Sequence, residues 1–426
     1  MKVLVIGQGG REHALAHKIS KSPLLTKLYA APGNAGISQI AECHGVDTDQ
    51  IAGLLDLAKK NSIDLTVVGP EAPLAAGIVD EFQKSGLSIF GPNQAAAMLE
   101  SSKAFSKDQM TKFGIPTADY EVFSNINEAK HFMIETEMPV VVKADGLAAG
   151  KGVVICQSSQ EGVAALTQMM SEGVFGAAGK KVVIEKVLEG EELSVLALTD
   201  GEKIIPLASS QDHKRAYDHD RGPNTGGMGA YSPCPFISEE KFREVVDLTI
   251  RPMVAGMAKE GTPYRGLLYA GVMMTRQGPF VLEYNCRFGD PEAQAVLPRL
   301  KSDLLPVLAE IAGGSLKTQS VEWYDKSCLA VVLASGGYPG FYHKGFKITG
   351  LESVASQENI FVFHAGTVKG PQGEFLTAGG RVLVVTALGE NLKAAYERAY
   401  QAVGQIHFEG GFYRRDIGRR GMEVLR

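Results

Sequence analysis

A chain of 426 residues is too long for one hydrophobic core, so about two to four domains are expected, each able to stand without disulfides or metals. Hydrophobic residues at 45% and charged residues at 21% fit a globular protein and exclude a disordered or membrane-embedded chain. A net charge of −5 leaves no electrostatic footprint for nucleic acid, and five scattered cysteines without a C-x-x-C pair suit buried thiols in a reducing cytoplasm.

The first apolar run, Val3 to Ile6, meets Gly7 long before it could serve as a signal peptide, and no later run approaches a membrane span. A cytoplasmic location is therefore expected. Val3–Ile6 reads as a buried parallel strand, Gly7–Gly10 as a tight turn and Arg11–Ile19 as a helix. Strands at Leu28–Ala30, Leu65–Val68 and Ser88–Phe90 alternate with helices at Ile51–Lys60 and Ala75–Ser85, the pattern of an open parallel α/β sheet. Beyond Pro92 a helix over Ala95–Lys112 gives way to short strands at Val140–Lys143, Val153–Ile155 and Val182–Glu185. With helices at Asn127–Glu135 and Glu161–Met170, these predict a small α+β module inside a larger one. The larger module continues in strands at Leu193–Leu198, Gly271–Thr275 and Phe280–Tyr284. From Ser327 the candidates are strands at Leu329–Leu333, Ile360–Phe363 and Val382–Thr386, then a helix over Leu392–Ile406. Arg414, Arg415, Arg419 and Arg420 read as a solvated basic terminus.

Five segments carry chemistry. Gly7-Gln8-Gly9-Gly10-Arg11-Glu12-His13 is a strand-turn-helix that is either a plain tight turn or an anion cradle at a helix N-terminus. It is not a dinucleotide fingerprint, because Glu12 stands where the third glycine belongs and would face the pyrophosphate. The loops Pro32–Gly36 and Gly69–Pro73 also follow strands and can line the same crevice. Lys143–Gly152 places two lysines around a small-residue hairpin able to fold over polyphosphate, with glycine after Lys151 where a P-loop has Ser or Thr. Glu185–Glu192 runs from a strand into a linker whose backbone can meet an adenine edge, with a carboxylate seven residues on for ribose. In Glu283–Glu292, Glu283 and Asn285 share one strand face as hard oxygen donors suited to Mg²⁺, Arg287 continues that face, and Cys286 and Phe288 imply a buried back. Gln211–Arg215 precedes a glycine loop from Gly222 to Ala230 that permits close backbone approach to a substrate. His213 and His219 lack a third ligand at a useful spacing, which argues against a metal pair.

Together these segments resemble the ATP-grasp superfamily, and in order and spelling they are similar to the glycinamide ribonucleotide synthetase family within it. Val3–His13, Ala31–Gly36, Val68–Pro73, Lys143–Gly152, Asp212–Arg215, Gly222–Pro233, Asn285–Glu292, His364–Thr367 and Gly379–Arg381 carry the resemblance along nearly the whole chain. It implies that ATP phosphorylates the carboxylate of glycine and that the amine of 5-phosphoribosylamine attacks the acyl phosphate. The alternative within the superfamily is a purine-pathway ligase acting on formate or bicarbonate. By matching positions, Lys103 and Lys143 would hold the ATP phosphates, with Gly146, Gly150, Lys151 and Gly152 in a mobile phosphate loop. Glu185, Lys186, Val187 and Leu188 would meet adenine and Glu192 the ribose. Glu283 and Asn285 would ligate Mg²⁺ or Mn²⁺, and Arg287, with Lys143, would stabilise the transferred phosphoryl charge. Gly9, Gly10, Gly33, Asn34, Ala35, Gly36, Glu71, Asp212, Lys214, Asn224, Thr225, Gly226, Gly227, Met228, Gly229, Arg287 and Asp290 would hold the amine and glycine.

The resemblance also implies an architecture. Residues 1–102 would form a Rossmann-like substrate domain, 103–326 the ATP-grasp domain with a lid over about 122–188, and 327–426 a mainly β cap. A monomer acting on small molecules, without nucleic acid or membrane partners, is expected. Two departures from the family pattern stand out. No Asp or Glu lies between Glu260 and Glu283, where many ATP-grasp enzymes carry a further metal carboxylate, and Arg221 occupies a place usually small or uncharged.

Overall fold

The computed structural model describes residues 1–148, 152–172, 174 and 176–424, so Gly150 and Lys151 of the expected phosphate loop lie outside the described residues. The first sheet is the expected open parallel one. Its strands run in the order Glu42–Cys43, Lys27–Pro32, Lys2–Gly7, Leu65–Val68, Ile89–Phe90. Val3 to Ile6 are fully buried, as a parallel strand covered on both faces requires. Strand order reverses around Lys2–Gly7, which pairs with Lys27–Pro32 on one side and Leu65–Val68 on the other. The loops after those three strands therefore emerge side by side, where open α/β sheets form a crevice.

Two predicted helices are each broken in two. The Ala75–Ser85 helix begins earlier, as Glu71–Ala75, and resumes at Ile78–Lys84 past Gly77, whose φ of +86° no helix interior accepts. The Ala95–Lys112 helix is Gln94–Ser101 followed by Lys103–Lys112. Ser102 between them is extended and its hydroxyl accepts the Phe105 N–H at 3.1 Å, an N-cap that starts the second helix at Lys103.

The small α+β module is an antiparallel sheet of Tyr120–Phe123, Val182–Lys186, Val140–Ala144 and Val153–Cys156. Helices Ile126–Glu135 and Ser159–Met170 cover it around a core of its own, including Met133, Val142, Cys156, Leu166 and Ile184. A second antiparallel sheet joins Ile204–Pro206, Glu191–Thr199, Gly266–Thr275 and Gly278–Asn285. A third contains Gln211–Asp212, Gly229–Ser232, Ser327–Ala334, Arg381–Gly389 and Ile360–His364. It is continuous across residue 326, with Gly229 in register with Val331.

The helices Glu239–Thr249, Arg251–Lys259 and Leu304–Ala312 were not among the expected elements. The last buries Leu304, Leu305, Val307, Leu308 and Ile311 along one face. In the basic terminus Arg415, Arg419 and Arg420 are exposed as expected, but Arg414 is not. Arg414 is 1% exposed and is held by Asp416 at 2.8 Å and Asp220 at 2.9 Å, a buried ion-paired residue and not a solvated one. Among the described residues, no helix is long and apolar enough to cross a membrane.

Candidate active site

A cleft of about 760 Å³ opens between the small module and the second sheet. The strand Gly278–Asn285 supplies its floor. Register along this strand passes from Glu283 opposite Gly271 to Val281 opposite Val272, so Leu282 is the extra residue of a β-bulge. A bulge frees a carbonyl from the ladder, and Lys143 Nζ, from the facing module, donates to Leu282 O at 3.1 Å.

Glu283, Asn285 and Arg287 all line this cleft, as their spacing predicts, while Cys286 and Phe288 are buried behind them. Burial pushes the Glu283 carboxyl up, but Lys214, Lys143, Lys103 and Arg287 outweigh it and leave the group below its ordinary value. Arg287 is held on three sides. Its Nε pairs with Glu71 at 3.2 Å, and its Nη2 pairs with Glu100 at 2.8 Å and donates to Asn285 Oδ1 at 3.1 Å. Burial opposes the charge on Arg287, yet Glu100 and Glu71 raise it above its ordinary value, so the guanidinium stays charged in the cleft. Burial raises Glu71 too, but Arg287 and Arg11 bring it down to about 2.

Glu100 is a functional candidate the sequence did not signal. A lone acid at the end of a helix looks like a surface residue, yet its carboxylate also accepts from Cys286 N at 2.7 Å, fixing the turn that aims Arg287. Glu292 is similar. It is 2% exposed, lines the cleft, and its Oε1 accepts from Tyr269 at 2.6 Å and Ser194 at 3.2 Å.

Lys103 stands at the first position of its helix and donates to Gly146 O at 3.1 Å. Asp145 beside it accepts from Ala104 N and Ser102 Oγ, each at 3.0 Å, so the start of the phosphate loop caps the Lys103 helix. Gly146 must be small: a Cβ there would lie 2.4 Å from that of Ala178. The Glu185 side chain is buried and ion-paired with Lys143 and Lys107, so its backbone is what it leaves for a ligand, beside Lys186, Val187 and Leu188, which also line the cleft. Glu192 pairs with Lys214 at 2.9 Å. Burial alone would lower Lys214, but Glu192, Asp212 and Glu283 hold it well above its ordinary value; Asp212 itself is pushed far up by burial against the pull of Lys214.

Gly152, Asn224, Thr225, Gly226 and Asp290 also line the cleft. Arg381, from the third sheet, ties two of these together, donating to Gly226 O at 2.6 Å and Asp290 O at 2.8 Å. Gly9, Gly10, Gly33 to Gly36 and Gly227 to Gly229, also expected to hold substrate, are not among the residues that line it. Gly227 packs on Pro291, Met228 is fully buried, and Gly229 is inside a strand. Gly10 packs against Gln294, where a Cβ would lie 2.6 Å from the amide nitrogen. Asn34 donates to Gln8 O and His364 O at 2.7 Å and accepts from Gly36 N and Ile37 N, so its amide is used in shaping the turn that holds Gly33 and Ala35.

Glu12 explains the missing third glycine. Its carboxylate turns back to accept the Gly9 N–H at 2.5 Å and is buried against Gly7 and Gly69. A Cβ on Gly69 would fall 2.2 Å from Glu12 Oε1, so the space beside the turn holds an acid where a dinucleotide site needs room.

Among the described residues no group of three His, Cys, Asp or Glu could hold a metal. The donor set still suits Mg²⁺ or Mn²⁺. Such ions take one or two protein oxygens and complete their shell with phosphate and water, which Glu283 and Asn285 on one cleft face allow.

A small antiparallel module set opposite a larger antiparallel sheet, with lysines on one side and Glu283 and Asn285 on the other, is the layout of the ATP-grasp ligases, enzymes that use ATP with a divalent metal. The family described as phosphoribosylglycinamide synthetase, ATP-grasp (A) domain, matches residues 101–293; its N domain matches residues 1–100 and its C domain residues 328–420. The chain belongs to the phosphoribosylamine–glycine ligase family. A relative of that name from Caldanaerobacter subterraneus subsp. tengcongensis is 49% identical over 417 residues, covering 98% of this chain and 99% of its own. The crystal structure of the phosphoribosylamine–glycine ligase of Thermotoga maritima is 34% identical, with a TM-score of 0.83 over 98% of this chain and all of that one. The biotin carboxylase domain of a Hydrogenobacter thermophilus 2-oxoglutarate carboxylase shares the fold at 19% identity, with a TM-score of 0.74 over 97% of this chain and 91% of that one. These matches favour the glycine-using family over a formate or bicarbonate ligase.

Proposed function

We propose that this cleft joins glycine to 5-phosphoribosylamine with ATP, through glycyl phosphate. In the first step a glycine carboxylate oxygen takes the γ-phosphoryl group and ADP leaves. In the second, the amine nitrogen bonds to the carbonyl carbon, the carbon–oxygen bond to phosphate breaks, and the amine gives up a proton. The products are glycinamide ribonucleotide, ADP and phosphate. The observation that carries this reading is that Lys103, Lys143, Glu283, Asn285 and Arg287 line one cleft.

Lys103 and Lys143 neutralise the phosphates, the backbone of 185–188 meets adenine, and Glu192 accepts the ribose hydroxyls in exchange for Lys214. Gly146 and Gly152 face the phosphates, and Gly150 and Lys151 are assigned to the same ligand by the family resemblance alone. Glu283 and Asn285 hold Mg²⁺ or Mn²⁺, which when bound offsets charge on the phosphate oxygens. Arg287, kept cationic by Glu71 and Glu100, stabilises the phosphoryl group in flight. Asp212, Lys214, Asn224 to Gly226 and Asp290 receive glycine and the amine, with Gly9, Gly10, Gly33 to Gly36 and Gly227 to Gly229 shaping the walls. Residues 1–102, 103–326 and 327–426 act as three parts of a cytoplasmic monomer, with about 122–188 as the lid; the separate core of that module supports its motion as a body. The test is ADP release with glycine, formate or bicarbonate, each with freshly made phosphoribosylamine. Glycine alone should support turnover, and turnover with either other acid instead overturns the assignment.

A further inference from the structure

Lys107 lies one turn beyond Lys103 on the same helix, and the chemistry proposed above does not use it. It is 2% exposed, a level at which a lysine needs partners. Its ammonium is ion-paired with Glu185, donates to Thr117 Oγ1 at 2.7 Å and lies 5.5 Å from the centre of the Tyr120 ring. Thr117 Oγ1 in turn donates to Val281 O at 2.7 Å. The other oxygen of Glu185 pairs with Lys143, which reaches Leu282 O. A closed circuit of polar contacts thus leaves the Gly278–Asn285 strand at Val281, passes through Thr117, Lys107, Glu185 and Lys143, and returns one residue further on.

We propose that Lys107 is a positioning residue for ATP, anchoring Glu185 so that Lys143 is held over the Glu283 end of the strand with its charge available to phosphate. The inference rests on ATP occupying the cleft. With two ammonium groups sharing one carboxylate, the trio presents net positive charge. Without Lys107 the whole charge of Glu185 falls on Lys143, and in a buried setting that attraction is strong enough to draw the ammonium away from a ligand. The geometry also makes the circuit sensitive to pH. Burial brings the Lys107 ammonium down to about 8, opposed by Glu185 and aided by Lys143; Glu185, Lys143 and Tyr120 are the titratable groups that face it. As pH rises through that value Lys107 loses its proton and its hold on Glu185.

The experiment compares wild type, Lys107→Met and Lys107→Arg in the full chain, measuring kcat/KM for ATP and KM for glycine across neutral and alkaline pH. Lys107→Met should raise the KM for ATP at least about 30-fold while leaving the KM for glycine within about twofold, the scale of truncating one partner of a buried charge pair. Lys107→Arg, which cannot deprotonate, should retain most activity and lack the alkaline fall near pH 8 expected of wild type. Lys107→Met indistinguishable from wild type, Lys107→Arg as impaired as Lys107→Met, or Lys107→Arg with the wild-type alkaline fall would each overturn the proposal. If Lys107→Met does not fold, the profile of Lys107→Arg decides. A wild-type protein that turns over no ATP overturns the cleft assignment itself, and the proposal with it.

Discussion

Lys143 Nζ donates to the carbonyl oxygen of Leu282, the residue immediately before Glu283 in the chain. The two lie on different sheets, Lys143 on Val140–Ala144 of the small module and Leu282 on Gly278–Asn285 of the larger. A lysine and a carboxylate proposed to reach one triphosphate are thereby brought together by the bulge at Leu282.

Lys143→Met should therefore weaken ATP use with the fold intact. A hydrogen bond to a charged group contributes about 1.5 to 3 kcal/mol, so kcat/KM for ATP should fall about tenfold to a hundredfold. Steady-state kinetics beside a far-UV spectrum checks this. Unchanged kinetics would make Lys143 a packing residue tied only to Glu185 and Leu282.

Arg381 donates to Gly226 O and Asp290 O, and its Nη2 pairs with Asp290 Oδ2 at 3.2 Å. Lysine cannot reproduce that fork, so Arg381→Lys should slacken the Gly226 loop. The KM values for glycine and phosphoribosylamine should rise while that for ATP stays nearly constant. Equal values in the variant would mean that other contacts, such as the Gly226 N–H donating to Tyr338 Oη at 3.1 Å, suffice to hold the loop.

Acid should destabilise the fold through histidines buried in the neutral form. His13 Nδ1 accepts the His364 N–H at 2.8 Å, which requires that nitrogen to be unprotonated. Burial, aided by His364 and His17, lowers His13 to about 3, and burial lowers His364 to about 4. The unfolded chain protonates near 6.5. Their contribution is thus fully present above pH ~6.5 and is lost as pH falls toward the folded values, by about 1.4 kcal/mol per pH unit for each group. Urea melts between neutral pH and the mid-acid range should show this slope. His13→Asn, whose Oδ1 can accept the same N–H but cannot titrate, should be less stable at neutral pH and show a shallower slope; a slope equal to that of wild type would remove His13 from the account.

Much of the cleft was legible because its chemistry is local in sequence. Glu283 and Asn285 alternate on one strand, Arg287 follows two residues on, and Lys143 sits at a strand end before small residues, so residue type and spacing were enough. Glu100 was not legible, because its role depends on a turn 186 residues away. Nor was the third sheet, where Gly229–Ser232 pairs with Ser327–Ala334 across four α-helices, a short 3-10 helix and two strands of intervening chain. Where the Glu12 carboxylate goes was not legible for a related reason. Beside a glycine turn an acid looks repulsive to ligand, but Gly7, Gly9 and Gly69, the last from another strand's loop, give its carboxylate a place to fold back.

Glu283 should carry the divalent ion. It lines the cleft beside Asn285, and Lys214, Lys143, Lys103 and Arg287 keep it ionised despite burial, so it presents a charged oxygen to any cation entering with the nucleotide. No acid between Glu260 and Glu283 can take its place. Glu283→Gln keeps the shape and the hydrogen-bonding capacity of the side chain while removing the charge that offsets the ion. Phosphoryl transfer depends on metal ions to clamp the β- and γ-oxygens, so glycine-dependent ADP formation should fall by orders of magnitude and the Mg²⁺ needed for half-maximal rate should rise. Stability should fall modestly, because the substitution removes a charge whose attraction to Lys214, Lys143, Lys103 and Arg287 outweighs its desolvation. Binding of Mn²⁺ in the presence of ADP, followed by electron paramagnetic resonance, reads the ion without relying on turnover and should weaken in parallel. Near-equal rates at limiting Mg²⁺, together with unchanged Mn²⁺ binding, would place the ion elsewhere in the cleft.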